Sequence, residues 1–130
     1  MSNSLASHKK PIDNQTEAED HWSEITRQAV QLRQELHRQP ELTWQEVETS
    51  QTIRRYLDQL QIPWRECKQV GTLATLAPNA PGTHIALRGD IDALPIQEEA
   101  PISYASETPG CMHACGHDGH TAALWAAAAW

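Results

Sequence analysis

The sequence predicts an α/β fold, in which two helices are followed by short strands and then by a third helix. Two observations support this prediction. In the first half of the chain, apolar residues recur at intervals of three and four, as on a helix with one buried face. After Pro63 this spacing is lost, and short runs typical of strands alternate with turn residues. With 130 residues, the chain can form one small domain or part of a larger one.

The first helix is expected to begin near His21, after a polar segment, residues 1–19, that we predict to be a disordered tail. The apolar residues of its buried face are Trp22, Ile25, Ala29, Leu32 and Leu36. Pro40 ends this helix, because the residue before a proline is disfavoured in the helical region.

The second helix has a start signal in the sequence. Thr43 and Glu46 have the spacing of a capping box, and Leu42 and Val47 have the spacing of the hydrophobic staple that accompanies it. Pro63 lies shortly beyond the end of the apolar pattern. We therefore predict a helix between these two signals.

Residues 64–68 and 71–77 are predicted to be short strands joined by a turn. A further strand is expected at 83–88, and a shorter one around 102–104. The strand at 83–88 needs neighbours, because a lone strand leaves its backbone groups unpaired. From about Asp118, an alanine-rich run predicts the last helix.

The composition restricts the class of partner and the compartment. A net charge of −7 disfavours nucleic acid or an anionic membrane, which attract clustered Lys and Arg. No apolar run approaches the roughly 20 residues of a membrane-spanning helix, and no signal-peptide core is visible. Three cysteines are an odd number, which favours a reducing compartment over a disulfide framework. The sequence thus predicts a cytoplasmic protein.

The segment GCMHACGHDGH, residues 110–120, combines three histidines, two cysteines and an aspartate with glycines. Cys115 and His117 are two positions apart, so on an extended backbone their side chains point the same way. A thiolate beside an imidazole suits zinc or a similar divalent ion. Asp118 follows directly and could be a ligand or an anchor for a ligating imidazole.

Three other interpretations of this segment stay open at the level of residue types. A structural zinc knuckle would require a second pair of ligands, and none follows. A redox pair of Cys111 and Cys115 has a spacing one residue longer than the thioredoxin-type motif. Chance clustering on a solvated loop is the third. A metal site accounts best for the combination of residues.

A second motif, RGDIDALP, covers residues 88–95. Asp90 and Asp92 follow the predicted strand 83–88, at the carboxyl end where α/β sheets carry functional groups. A carboxylate there can hold a metal or orient a metal-bound histidine. The alternatives are ordinary acidic residues on a solvated loop, or an integrin-type Arg-Gly-Asp tripeptide, which the apolar residues before it disfavour.

Three segments together resemble a known family. They are LRGDIDALPIQEE, then GCMHACGHDGHTA, and the earlier LRQELHRQPELTWQEVETSQTIRRYL with its His-x-x-Pro-Glu-Leu signature at 37–42. These are similar to the metal-dependent amidohydrolases of the hippurate hydrolase and indole-acetyl-amino-acid hydrolase type, within the co-catalytic metallopeptidase superfamily. The resemblance covers roughly residues 22–130.

The resemblance implies a fold and a set of site residues. Residues 20–130 would form an incomplete N-terminal part of a three-layer, zinc-peptidase-like catalytic domain, without the satellite domain that the family uses for dimerisation. Cys115 and His117 match the family's metal-binding Cys-x-His, and Asp90 matches an aspartate that supports catalysis. Asp118 and Asp92 are expected to position other groups. Three further histidines within family motifs are expected to be structural: His37, His113 and His120.

The implied activity is hydrolysis of the amide of N-acyl amino acids. Two divalent ions, from among zinc, manganese, cobalt and nickel, would activate a water whose proton a glutamate accepts. In the family, that glutamate and further ligands follow the Cys-x-His motif, beyond residue 130. Glu98 and Glu99 precede the Cys-x-His motif, so they are not expected to replace the proton-accepting glutamate.

We therefore expect the chain by itself to be inactive and to represent a piece of a longer enzyme. A full-length form would be a homo-oligomer if it carried the satellite domain. Two other functions stay open: a non-catalytic remnant that binds metal weakly, and a small zinc-binding module that folds around one ion.

Overall fold

The computed structural model describes residues 14–130, which form three helices and one hairpin. In chain order these are α1 (Asn14–Arg38), α2 (Val47–Gln59), β1 (Trp64–Cys67), β2 (Gly71–Ala74) and α3 (His117–Ala129). The predicted order of two helices, strands and a helix is therefore confirmed. Residues 75–116 form turns and irregular segments that carry part of the site.

The core lies where α1 packs against α3. From α1, Ile25, Leu32 and Leu36 are buried, and from α3, Trp125 is buried with the small alanines of the same face. Trp125 also donates a hydrogen bond from its indole N–H to the backbone oxygen of Tyr56 in α2, at 3.2 Å. The three helices therefore share one core.

Helix α1 begins earlier than the apolar pattern predicts. Residues 14–19, assigned to a disordered tail by the sequence analysis, are helical, while residues 1–13 lie outside the described part of the chain. The side chains of 15–24 are exposed, so apolar periodicity gives no sign of this extension. Trp22 is also exposed, contrary to expectation, and its ring contacts the exposed Trp130 edge-to-face, with 5.5 Å between ring centroids.

The capping box predicted for α2 is not formed. Glu46 occupies the N-cap position without a side-chain cap, and the hydroxyl of Thr43 donates instead to Asp92, at 2.7 Å. The carboxylate of Glu41 accepts a hydrogen bond from the backbone N–H of Thr49 at 2.8 Å. This bond satisfies one of the N-terminal donors that a helix leaves without an internal partner. The long-range contact to Asp92 therefore replaces the local cap.

Strands β1 and β2 pair antiparallel, with Trp64 opposite Ala74 and Cys67 opposite Gly71. A Cβ atom at Gly71 would lie 2.5 Å from the backbone oxygen of Cys67, so only glycine fits at this end of the hairpin. Arg54 of α2 lies over the ring of Trp64, 5.1 Å from its centroid, and ties the hairpin to that helix.

The two other predicted strands are absent from the described residues. Segment 83–88 belongs to no strand, and Ile85 and Leu87 are 84% and 67% exposed. A strand is defined by pairing, and residues 14–130 offer this segment no partner. Around 102–104 the chain turns instead, and the N–H of Ala105 donates to the oxygen of Ile102.

Helix α3 is rich in alanine, and its buried face includes Asp118 at its first turn. Small side chains let α3 lie close to α1, and the two helices form the most extensive helix pair of the fold. Among the helices of residues 14–130, none combines the length and the hydropathy needed to cross a membrane.

The packing of α1 against α3 predicts the effect of a core deletion. Leu32→Ala should lower the free energy of unfolding by about 2–5 kcal/mol, because Leu32 is fully buried and the cavity cannot close completely. Val30→Ala, on the exposed side of the same helix, should change it by about 0.5 kcal/mol or less. Urea unfolding followed by circular dichroism measures both. Equal midpoints for the two variants would contradict this packing.

Candidate metal half-site

His117 is held by Asp92 at the start of α3. Its Nδ1 lies 2.9 Å from the backbone oxygen and 3.0 Å from the carboxylate Oδ1 of Asp92. Both atoms are acceptors, so Nδ1 carries the proton and Nε2 keeps its lone pair for a metal ion. A carboxylate behind a histidine in this way fixes the tautomer and the ring orientation of a metal ligand.

The carboxylate of Asp92 is itself fixed. The hydrogen bond from Thr43 is the largest cause that lowers the pKa of Asp92; burial opposes it, and His117 adds to the lowering. Asp92 therefore stays charged at neutral pH and remains an acceptor for the ring of His117. The motif at 88–95 and the motif at 110–120 meet at this contact.

Cys115 stands two residues before His117, with an exposed thiol. Between them, Gly116 has a φ of 81°, in the left-handed region that favours glycine, and the chain turns there into α3. Cys111 differs, because it is buried, burial raises the pKa of its thiol, and its Sγ donates to the backbone oxygen of Pro40. Cys115 is therefore the cysteine of this segment that a metal can reach.

The carboxylate of Asp90 has a different partner. The Asp90 side chain is 47% exposed and forms an ion pair with Arg88. The backbone oxygen of Asp90 accepts a hydrogen bond from the hydroxyl of Thr121 at 3.4 Å. Within residues 14–130, no three His, Cys, Asp or Glu side chains are grouped closely enough to hold a metal ion. The structure thus brings Asp92 to His117, whereas the side-chain partner of Asp90 is Arg88.

We refer to Cys115 and His117 as the metal half-site. A thiolate sulfur and an imidazole with a free Nε2 are the donors that zinc and similar ions prefer. The orientation of the His117 ring, set by Asp92, fits this use. Two donors do not complete a tetrahedral site, so the remaining ligands must come from outside this pair.

Asp118 belongs to a buried network that the sequence did not predict. Its Oδ2 lies 2.8 Å from Nδ1 of His37 and 3.3 Å from Nε of Arg33. The other ring nitrogen of His37, Nε2, lies 3.1 Å from Oε1 of Glu98. The side chains of His37, Asp118 and Glu98 are at most 6% exposed. This network, rather than a metal contact, accounts for the burial of Asp118.

Glu98 is fully engaged by this network. Its Oε2 accepts the backbone N–H of Ser106, which is the largest cause that lowers the pKa of Glu98; burial opposes it, and His37 adds to the lowering. Both carboxylate oxygens are thus occupied within the fold. Glu98 therefore contributes to the buried network around His37.

His113 lies in the same interior region. It is buried, and burial lowers its pKa, so the ring is neutral. Among the described residues, neither ring nitrogen has a hydrogen-bond partner, and the same holds for Oδ1 of Asp118. The ring centroids of His113 and His37 are 6.3 Å apart. Buried polar atoms without partners therefore remain in His113 and Asp118, both of which lie close to His37 in space.

The chain is similar to proteins of known class. Residues 86–130, which include both motifs, match the peptidase family M20/M25/M40. The chain is 50% identical over 100 residues to a putative amidohydrolase, YhaA, of Bacillus subtilis, covering 76% of this chain and 25% of that protein. It is 47% identical over 97 residues to the N-acetylcysteine deacetylase of the same organism, and the match covers 73% of this chain and 26% of that protein.

A solved structure agrees with these matches. The fold resembles the crystal structure of the Bacillus subtilis YXEP protein, described as a dinuclear metal binding peptidase from the M20 family, with a TM-score of 0.78. The sequences are 43% identical, and the match covers 82% of this chain and 31% of that one. The chain spans about a quarter of the length of the two curated relatives. In sequence and in fold, it therefore resembles part of the metal-dependent amidohydrolases and peptidases of family M20.

Proposed function

We propose that this chain supplies part of the metal site of a hydrolase that cleaves the amide of N-acyl amino acids. The observation that carries the proposal is the orientation of His117 by Asp92, which leaves Nε2 free for a metal ion, two residues after the exposed Cys115. Residues 20–130 would form part of the catalytic domain, and the remaining ligands and the general base would come from other residues of the complete enzyme.

The substrate class and the ions rest on the relatives. One relative is an N-acetylcysteine deacetylase, which supports an N-acyl amino acid as the substrate. A structural neighbour is a dinuclear metal binding peptidase, which supports two divalent ions, from among zinc, manganese, cobalt and nickel. The thiols of Cys67, Cys111 and Cys115 are all free, which supports a reducing, cytoplasmic location.

The residues of this chain have separable roles in such a reaction. A metal ion bound at the half-site would polarise the amide carbonyl and lower the pKa of water. Asp92 keeps the proton of His117 on Nδ1 and so fixes which nitrogen is the ligand. The carboxylate of Glu98 is buried against His37 and Ser106, so it is not proposed to take the proton from water. Asp90, exposed at the surface, is proposed to act on the substrate side of the site.

The half-site predicts which cysteine controls metal binding. Cys115→Ala and His117→Ala should each weaken cobalt or zinc binding at least about tenfold, because each removes one of two donors. Cys67→Ala is the matched control, since Cys67 is also an exposed thiol but lies on β1. Metal titration of the chain under reducing conditions measures all three. Wild-type affinity in both half-site variants would refute the assignment.

The role proposed for Asp90 requires a complete enzyme. A chimera in which this chain replaces the matching quarter of the Bacillus subtilis N-acetylcysteine deacetylase provides one. Asp90→Asn in that chimera should lower turnover of N-acetylcysteine by about a hundredfold or more while the melting temperature changes by a few degrees. Glu99→Gln removes an exposed charge nearby and should leave turnover unchanged. Near-normal turnover in Asp90→Asn would eliminate this role.

The incomplete donor set also predicts the behaviour of the chain by itself. Incubated with zinc, manganese or cobalt, it should release no amino acid from hippurate or N-acetyl amino acids, because a two-metal reaction needs more ligands and a free base. The chimera serves as the positive control. Turnover that is sensitive to chelators and lost in Cys115→Ala would show that residues 1–130 suffice.

A further inference from the structure

We infer that His37 is a positioning residue for the metal half-site and acts through Asp118. The inference rests on the proposed function, since it concerns how Cys115 and His117 are held for a metal ion. His37 is near the end of α1, and Asp118 is in the first turn of α3. Their contact of 2.8 Å joins the two helices where the chain turns from Cys115 into α3.

Asp118 is the covalent neighbour of His117, so its anchor positions the backbone from which that ring leaves the helix, while Asp92 sets the orientation of the ring itself. The backbone before it passes through Gly116, whose left-handed conformation is available to glycine without strain. A glycine at this point fixes the backbone weakly, because it has no side chain to pack. The orientation of the segment from Cys115 to His117 therefore depends on the anchor at Asp118.

His37 provides most of that anchor. The hydrogen bonds of Asp118 all use Oδ2, because Oδ1 has no partner among the described residues. The second contact to Oδ2, from Arg33, is longer at 3.3 Å, and the Arg33 side chain is 44% exposed. The contact from His37 is buried on both sides. Its loss would leave Asp118 with one longer and partly solvated partner.

The ring of His37 is itself held on its other side. Nε2 faces Glu98, so the two hydrogen bonds form at the same time when both ring nitrogens carry a proton. The edge-to-face contact with Tyr104, with 5.4 Å between ring centroids, restricts rotation of the ring. Glu98 and Tyr104 thus orient His37, His37 orients Asp118, and Asp118 orients the half-site.

The two nitrogens of His37 allow a test with matched variants. Asparagine places its amide N–H near the position of Nδ1, whereas glutamine places it near Nε2. His37→Asn should keep the bond to Asp118, and His37→Gln should keep the bond to Glu98. Each variant leaves one buried carboxylate without its imidazole partner, so both lose stability. The two variants differ in whether the contact with Asp118 is retained.

The probe is cobalt(II), added to the complete chain under reducing conditions. Its affinity and its thiolate-to-cobalt charge-transfer band report the geometry at Cys115 and His117 and do not depend on turnover. We expect His37→Gln to bind about tenfold more weakly than wild type, with a weaker band, and His37→Asn to stay within about threefold. Urea midpoints of both variants are measured alongside.

The cobalt titrations distinguish failure of the proposed half-site from failure of the role of His37. If wild type gives no charge-transfer band, or if Cys115→Ala binds cobalt like wild type, the proposed half-site is wrong. If the band is present and is lost in Cys115→Ala, but His37→Gln and His37→Asn bind equally, the role of His37 is overturned and the half-site stands.

A second pair covers the case in which His37→Gln does not fold. Asp118→Asn weakens the anchor itself and should lower cobalt affinity about tenfold. Glu98→Gln removes a buried charge from the same network but leaves the bond between His37 and Asp118, so it should stay within about threefold. Equal affinities in this pair would also overturn the inference.

Discussion

A buried hydrogen bond between His37 and Asp118 joins α1 to α3 and fixes the start of the helix that carries His117. Two carboxylates face one imidazole there, out of contact with solvent. Buried charges of this kind are tolerated only when each is paired, so the positions of Asp118, His37 and Glu98 constrain one another. The core around Leu32 and Trp125 brings the two helices together, and this polar network sets their register.

Local features of the sequence predicted much of the fold and part of the candidate site. The buried face of α1 is visible as apolar spacing, because a helix repeats its core positions every three or four residues. Cys115 and His117 stand two residues apart, but the turn at Gly116 departs from the extended backbone on which their side chains would point the same way. Asp92 was expected to position another group, and its partner proved to be His117. The resemblance to the amidohydrolases agrees with the family match and with the fold of a solved relative.

Long-range contacts account for what the sequence could not predict. His37 and Asp118 are 81 positions apart, and no periodicity connects them. Thr43 has the spacing of a helix cap, yet its hydroxyl donates to Asp92, because tertiary contact competes with the local bond. Segment 83–88 has the composition of a strand, but pairing also requires a neighbour, which residues 14–130 lack.

The proposed anchoring of the half-site depends most on the energetic coupling of His37 with Asp118. A double-mutant cycle with His37→Ala and Asp118→Ala, read out as free energies of unfolding in urea, measures that coupling directly. We predict a coupling of about 1 kcal/mol or more, because the second substitution removes a charge that the first has already left without its partner. Effects that add to within about 0.3 kcal/mol would contradict the account, since the two residues would then stabilise the fold independently.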